Sequence, residues 1–335
     1  MVCSSRAPRV SVVITTFNRC ALLCVAIDSV LAQDFPVHER EIIVVDDGST
    51  DDTRSTVEQR YGDRVRYLYK ENGGINSACA AAFDAATGDI VAQLDSDDYW
   101  YPSKLSICVP LFDQSPDVVA VIHDLDIYKP DSSAVSGTSW QHLNVLLSEA
   151  PCDGLLSYLD GYPIPATTSG SLWRRSALKH ILPFPAGLWG FNDAYCVRNI
   201  VFYGRICAIK KSLGAYLVHT SNDYAGGTMR ADKARLERSI RESRIMSEEF
   251  NRRCALFGRA PGKRRMLIQQ LALLDSCVSL RLLDSGKWPV VKWIIDNELG
   301  IPALAQIQSI LNVALPSRLA VFIKNKVIGR FVSLD

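Results

Sequence analysis

The chain of 335 residues has almost no net charge, since 37 basic residues stand against 36 acidic ones and leave +1. A balance that close supplies no global field to gather nucleic acid, and no nucleic-acid partner is expected. No CxxC pair occurs among the ten cysteines, and Cys24, Cys79, Cys108 and Cys207 lie inside apolar runs. Disulfide frameworks and zinc ribbons are thereby excluded, and reduced thiols with a cytoplasmic location are expected. Met1 to Pro8 lacks the apolar stretch of a signal peptide, and no segment reaches the roughly 18 to 20 uncharged apolar residues of a spanning helix. Internal repeats and low-complexity tracts are missing too. What is present is globular in composition, with 48% hydrophobic and 22% charged residues. The length suits one large domain with an appended module.

The first hundred residues alternate strand and helix. RVSVVITTF (Arg9 to Phe17) is a β-branched, turn-bounded run that reads as a buried strand, and Cys20 to Leu31 follows as an amphipathic helix. Glu41 to Val45 gives a second strand ending in Asp46-Asp47-Gly48, with Ser49 and Asp52 spaced as an N-cap and capping box. Val65 to Tyr69, the helical Ile75 to Ala86 and the strand Asp89 to Leu94 complete the series. This order predicts an α/β fold, Rossmann-like, with a mostly parallel sheet covered by helices on both faces. Beyond Pro102 the spacing predicts a helix over Ser103 to Phe112, a strand over Val118 to Ile122, a helix over Arg174 to Ile181, and short strands at Arg205 to Ile209 and Ala215 to His219. From Met229 onward the pattern is helical. Gly226-Gly227 is the expected hinge, so residues 1–225 are expected to form a catalytic domain and 226–335 a C-terminal helical region.

Ligands of an open parallel sheet bind at the carboxyl ends of its strands, which gives weight to acids found there. Asp46-Asp47 follows the second strand, and Asp95-Ser96-Asp97-Asp98 follows the fourth. Turn and cap chemistry accounts for one or two such acids, but not for three packed into one turn. Crowded carboxylates raise one another's pKa unless a cation intervenes, and hard oxygen ligands on a turn suit Mg²⁺ or Mn²⁺. A second D-x-D, Asp124-Leu125-Asp126, has both acids on one strand face and competes for the role.

Four motifs, in order and at the expected spacing, resemble family 2 glycosyltransferases with the GT-A fold. They are VSVVITTFNR (Val10 to Arg19), IIVVDDGSTDDT (Ile42 to Thr53), NGG (Asn72 to Gly74) and TGDIVAQLDSDDYWYPSKL (Thr87 to Leu105). The resemblance covers about the first 220 residues. It implies an inverting transfer of one sugar from a nucleotide-sugar donor, a UDP-sugar before others, to a hydroxyl of a glycan or lipid-linked acceptor. It implies that Thr15, Thr16 and Phe17 lie against the nucleotide, that Asp47 hydrogen-bonds the base, and that Asn72, Gly73, Gly74 and Ser96 border the donor. Asp95 and Asp97 match the metal pair for Mn²⁺ or Mg²⁺, with His219 near the metal and diphosphate. GFNDAYCVRNIVFYGR (Gly190 to Arg205) matches the region of the catalytic base, which falls on Asp193. Thr168 and Ser169, the Trp173-Arg174-Arg175 stretch, Trp189 and Asn192 are implied on the acceptor side.

Two departures stand out. Asn192 replaces the usual Glu before the base, and Ala78-Cys79-Ala80 replaces Ala-Arg-Asn, which leaves Lys70 or Arg19 to meet the diphosphate. They keep a non-catalytic nucleotide-sugar-binding or scaffold protein as the alternative. A nucleotidyltransferase would need a triphosphate signature that is missing. In the tail, Leu299 to Leu334 has no acid, and its apolar residues fall on one helical face beside Arg318, Lys324, Lys326 and Arg330. Such a segment suits a peripheral contact with the inner face of the membrane, a cap on the catalytic domain, or a homodimer contact.

Overall fold

The structure is a computed structural model that describes residues 8–129, 134–140, 150–159, 164, 167–219 and 233–260. The β-branched runs form the strands that the alternation predicts. β1 (Val10–Thr16) pairs in parallel with β2 (Arg40–Asp46), Val12 opposite Ile42 and Ile14 opposite Val44. The helix α1 (Cys20–Leu31) joins them and buries Leu23, Ile27 and Val30. α2 (Thr53–Tyr61), β3 (Arg66–Tyr69), α3 (Ile75–Ala85) and β4 (Ile90–Asp95) follow. The start of α2 corrects the expected cap at Ser49. The Asp51 carboxylate, not Ser49, accepts the Thr53 N–H at 3.1 Å, while the Ser49 hydroxyl accepts the N–H of Asn18 at 2.8 Å.

The remaining elements depart further from periodicity. β5 (Tyr99–Trp100) precedes α4 (Lys104–Cys108), which tightens into a 3-10 turn over Val109–Asp113, where Pro110 has no N–H to continue the α-helical ladder. β6 (Val118–Tyr128) runs six residues past the expected strand and swallows Asp124-Leu125-Asp126. β7 (Val135–Thr138) and α5 (Gly154–Leu159) come next. The helix expected from Arg174 opens instead as β8 (Ser171–Arg174), followed by the one-turn α6 (Arg175–Leu178). α7 (Asn192–Ile200), β9 (Arg205–Leu217) and α8 (Lys233–Leu256) end the described chain. β9 unites the two short strands expected there, with register shifts against β6 between His123 and Asp126.

The sheet order is β3-β2-β1-β4-β8-β6-β9-β5, with β7 beside β6. Its first four strands are parallel; β8 then runs antiparallel to β4 and β6, and β6 is parallel to β9. The parallel half therefore opens its carboxyl ends to one side, and the mixed half curls beyond it. Alternation along β1 sends Val13 into one core layer and Val12 and Ile14 into the other, so both faces are covered. α8 belongs to the first layer. Met246, Phe250 and Cys254 recur every four residues and pack with Tyr158, Phe202 and Tyr195, so this charge-dense helix buries one apolar face. Among the described residues no helix is long and apolar enough to cross a membrane. The Gly226-Gly227 hinge and the basic amphipathic tail lie outside the described residues.

Candidate active site

At the carboxyl ends of β1, β2 and β4 the chain leaves a cleft of about 700 Å³. Its floor is the acid cluster. The Asp98 N–H closes a turn onto the Asp95 carbonyl at 3.1 Å, and the ligand atoms of Asp95, Asp97 and Asp98 lie within 4.8 Å of one another. Asp98 is committed to the protein, accepting the Ser169 hydroxyl at 2.5 Å and the Leu217 N–H at 3.1 Å. Asp97 accepts from Arg19 and lies 2.9 Å from His219 Nε2. Burial, then the charges of Asp97, Asp98 and Asp193, hold the Asp95 carboxyl well above the usual range. Burial, then the Asp97 charge, pushes Asp98 up to about 7. Carboxyls crowd this corner closely enough to raise one another's pKa, and the donors are hard oxygens, so the residues present fit a divalent cation.

Ser169 braces this turn from behind. Its carbonyl accepts from Trp100 Nε1 at 2.9 Å and Lys104 Nζ at 2.7 Å, and its hydroxyl also accepts the Asp95 N–H at 3.1 Å. Lys104 is fully buried under the Trp100 ring, 3.4 Å from its centroid, and burial drives its pKa well down. The residues after DSDD in the fourth motif thus wrap a single serine that the acids lean on.

On the β1–β2 side Thr15, Thr16, Phe17, Asp47, Asn72 and Gly74 line the cleft. Asp47 accepts the N–H groups of Gly73 at 3.0 Å and Gly74 at 2.8 Å, and Lys70 Nζ at 2.6 Å. A carboxylate has about four acceptor positions, so these three bonds do not exhaust it. Gly74 has φ +83°, and a Cβ there would fall 2.9 Å from Trp189 Cζ2, so the position calls for glycine twice over. Asp46 is a structural acid, accepting from the Tyr67 hydroxyl and the Ser49 N–H.

The facing wall comes from the loop before α7 and from α7 itself. Trp189, Gly190, Phe191, Asn192 and Asp193 all line the cleft, and burial raises the Asp193 carboxyl above its ordinary value. Asn192 is 3% exposed, and its Oδ1 lies 3.5 Å from Gln93 Nε2. Gln93 also accepts Trp173 Nε1 at 2.6 Å and lies 3.9 Å from Cys79 Sγ. Both departures from the family pattern, Cys79 and Asn192, therefore meet at one neutral glutamine.

Most of the expected site residues converge: Thr15, Thr16, Phe17, Asp47, Asn72, Gly74, Asp95, Ser96, Asp97, Thr168, Ser169, Trp189, Asn192 and Asp193 border one cavity. Gly73 stands behind it, and His219 lines an adjoining hollow with Phe17 and Arg19. Trp173 is 0% exposed, and Arg174 and Arg175 bond backbone carbonyls of Val118, Phe112 and Gly88, which removes that stretch from the acceptor side. Asp124 accepts Leu125 N, Ser139 Oγ and Trp140 N, and Asp126 accepts the Tyr101 hydroxyl, so the second D-x-D is structural. Lys70 is held by Asp47, and of the two cations considered for the diphosphate only Arg19 borders the cleft. Sequence reading missed Tyr216, Arg238 and Glu242 on its wall. Glu242 carried a signal, because it falls four residues before Met246 on the apolar stripe of α8.

Known proteins resemble this chain in sequence and in fold. An uncharacterized glycosyltransferase of Nostoc sp. is 35% identical over 220 residues, covering 64% of this chain and 66% of its own length. The hyaluronan synthase of Pasteurella multocida is 36% identical over 139 residues, where this chain spans only 14% of the relative. Among solved structures, S. aureus TarS 1-349 in complex with UDP superimposes with a TM-score of 0.58 at 20% identity, covering 96% of this chain and 88% of that one. The mannosyltransferase PcManGT from Pyrobaculum calidifontis, in complex with GDP-Man and Mn²⁺, gives 0.56 at 21% identity, covering 96% and 87%. These likenesses carry the GT-A fold. The family model that matches is Glycosyl transferase family 2, over residues 11–182, more than half of the chain, and the chain belongs to that family.

Proposed function

We propose that the chain moves one sugar from a nucleoside diphosphate sugar, a UDP-sugar before others, to a hydroxyl of a glycan or lipid-linked acceptor, with inversion at the anomeric carbon. The observation that carries this reading is Asp193, a buried carboxyl of raised pKa facing the same cleft as the DSDD acids and close enough for its charge to act on Asp95. A carboxylate there accepts the acceptor hydroxyl proton while that oxygen bonds to the anomeric carbon. The bond to the diphosphate oxygen breaks with its electron pair. A raised pKa makes Asp193 a stronger base than an exposed carboxylate. Asp95 and Asp97, with His219 beside them, would hold Mn²⁺ or Mg²⁺; bound there, such an ion supplies positive charge to the departing diphosphate. Thr15, Thr16, Phe17, Asp47, the Asn72–Gly74 turn and Ser96 serve the donor. Thr168, Ser169, Trp189 and Asn192 border the acceptor, with the Trp189 indole half-exposed for stacking on a sugar face.

The neutral Cys79–Gln93–Asn192 group favours a second reading, a donor-binding scaffold without turnover. One experiment separates the two: a thermal-shift screen of UDP-, GDP- and dTDP-sugars with and without Mn²⁺, on the native chain and Asp97→Ala, followed by donor hydrolysis. A metal-dependent shift lost in the variant, together with sugar released to water, supports the transferase. A shift without release supports the scaffold, and no shift with any donor overturns both.

A further inference from the structure

The loop that delivers Asp193 is held from two sides. From α3, Asn76 Nδ2 donates to the carbonyls of Leu188 at 2.8 Å and Gly190 at 3.0 Å. From α8, Glu242 Oε1 accepts the N–H groups of Trp189 at 2.6 Å and Gly190 at 2.8 Å. The next residue, Phe191, has φ +57°, a left-handed conformation that a side chain this large holds only where its surroundings impose it. Asn192 and Asp193 follow directly as the first residues of α7.

Glu242 is 2% exposed, on the stripe whose later members, Met246, Phe250 and Cys254, are apolar core. Burying a carboxylate there is costly unless its hydrogen bonds are good, and an apolar side chain would have extended the stripe without that cost. Two N–H donors on one carboxylate oxygen form charge-assisted bonds, stronger than neutral ones. Arg238, one turn earlier on α8, lines the same cleft. This helix lies beyond residue 182, where the family match ends, and beyond the boundary expected at residues 225 and 226.

We propose that α8 is a working wall of the site and that Glu242 is a positioning residue, fixing the Trp189–Gly190 backbone and through it the direction of Asp193. The proposal rests on the reading of Asp193 as the base. Because one oxygen accepts both bonds, the carboxamide of Glu242→Gln retains the geometry and Glu242→Ala abolishes it.

The test uses the full chain and three readouts: sugar release from the donor found active with the native protein, the thermal shift given by UDP with Mn²⁺, and amide hydrogen exchange over residues 188–195. Expected are a drop in kcat of tenfold or more in Glu242→Ala, an unchanged UDP shift and faster exchange in that segment, with Glu242→Gln restoring kcat and protection. Native kcat in Glu242→Ala alongside a lowered Tm would make Glu242 a mere anchor and overturn the proposal. Equal damage in Glu242→Gln would do the same, by assigning the effect to charge. Should Glu242→Ala fail to fold, Glu242→Asp, one methylene too short for both bonds, takes its place with the same expected and overturning results. If the native chain turns over no sugar nucleotide, the proposed function falls, and the exchange data alone still decide whether Glu242 sets the loop.

Discussion

The two halves of the cleft are built on different plans. The half proposed for the donor stands on β1, β2 and β4, parallel neighbours whose turns carry Thr15–Arg19, Asp46–Ser49 and Asp95–Asp98, each a contiguous run at a strand end. The facing half is collected from Thr167–Ser169, the loop before α7, Tyr216 and α8, segments that are remote in the chain and joined by side-chain bonds rather than by a repeated unit. A parallel sheet gathers its strand ends by topology alone. An irregular wall needs a separate anchor for each piece, and those anchors are buried polar groups such as Asn76, Gln93 and Glu242.

The strongest way to break the comparison is to disable one half and ask whether the other still works. Asp193→Asn is expected to lower kcat by about 10²–10⁴ while the Mn²⁺-dependent UDP shift persists, as isothermal titration of UDP would check. Loss of UDP binding in that variant would mean that the halves are not separable. Next in size is Phe250→Ala, which removes a ring packed edge-on to Tyr158 at 5.1 Å and tilted to Phe202 at 5.5 Å. A loss of about 3–5 kcal/mol in urea unfolding is expected if α8 is integral to the core. A separate local transition at low urea would mark α8 as an attachment.

Gly74→Ala strikes the point where the halves touch. Positive φ and the nearby Trp189 ring are expected to cost about 1–3 kcal/mol of stability, seen as a lower Tm, and to weaken UDP binding and turnover together. The smallest effect concerns pH. Asp95 and Asp98 are raised in the fold, Asp98 to about 7 from an ordinary 3.8, so their protonated forms stabilise the metal-free protein at low pH. That contribution is lost as pH rises through about 7. A cation competes with protons for the same oxygens, so the Tm gain from Mn²⁺ alone should be larger at pH 8 than at pH 5.5, by on the order of a few degrees.

The donor half was legible because its signals are local. β1, α1, β2, α3 and β4 begin and end within a residue or so of the hydrophobic runs that announce them. The capping error at Ser49 arose because a competing partner remote in the chain, the Asn18 N–H, claims that hydroxyl. The facing half was less legible for a physical reason. β6 and β9 continue through His123, Asp124, Lys210 and Lys211, polar residues that the sheet tolerates by burying some with partners and exposing others, so no apolar run marks their length. Trp173 gives no sign in sequence that it points into the core, and Glu242, though it sits on the apolar stripe of α8, shows its purpose only once its partners on the distant loop are known.

The strap between the first two motifs has a bearing on how such chains are recognised. Asn18 donates its N–H to Ser49 and accepts that of Thr50 at 2.8 Å, while Cys20 donates to Asp51 at 3.2 Å. Asn18 and Ser49 thus brace one another while Asp51 ties the start of α1 to that of α2, whether or not any sugar is ever moved. A descendant that had fallen silent would gain nothing by discarding them. Signature residues of this kind certify ancestry and shape; the evidence of a living enzyme has to be sought across the cleft, at Asp193 and the loop that carries it.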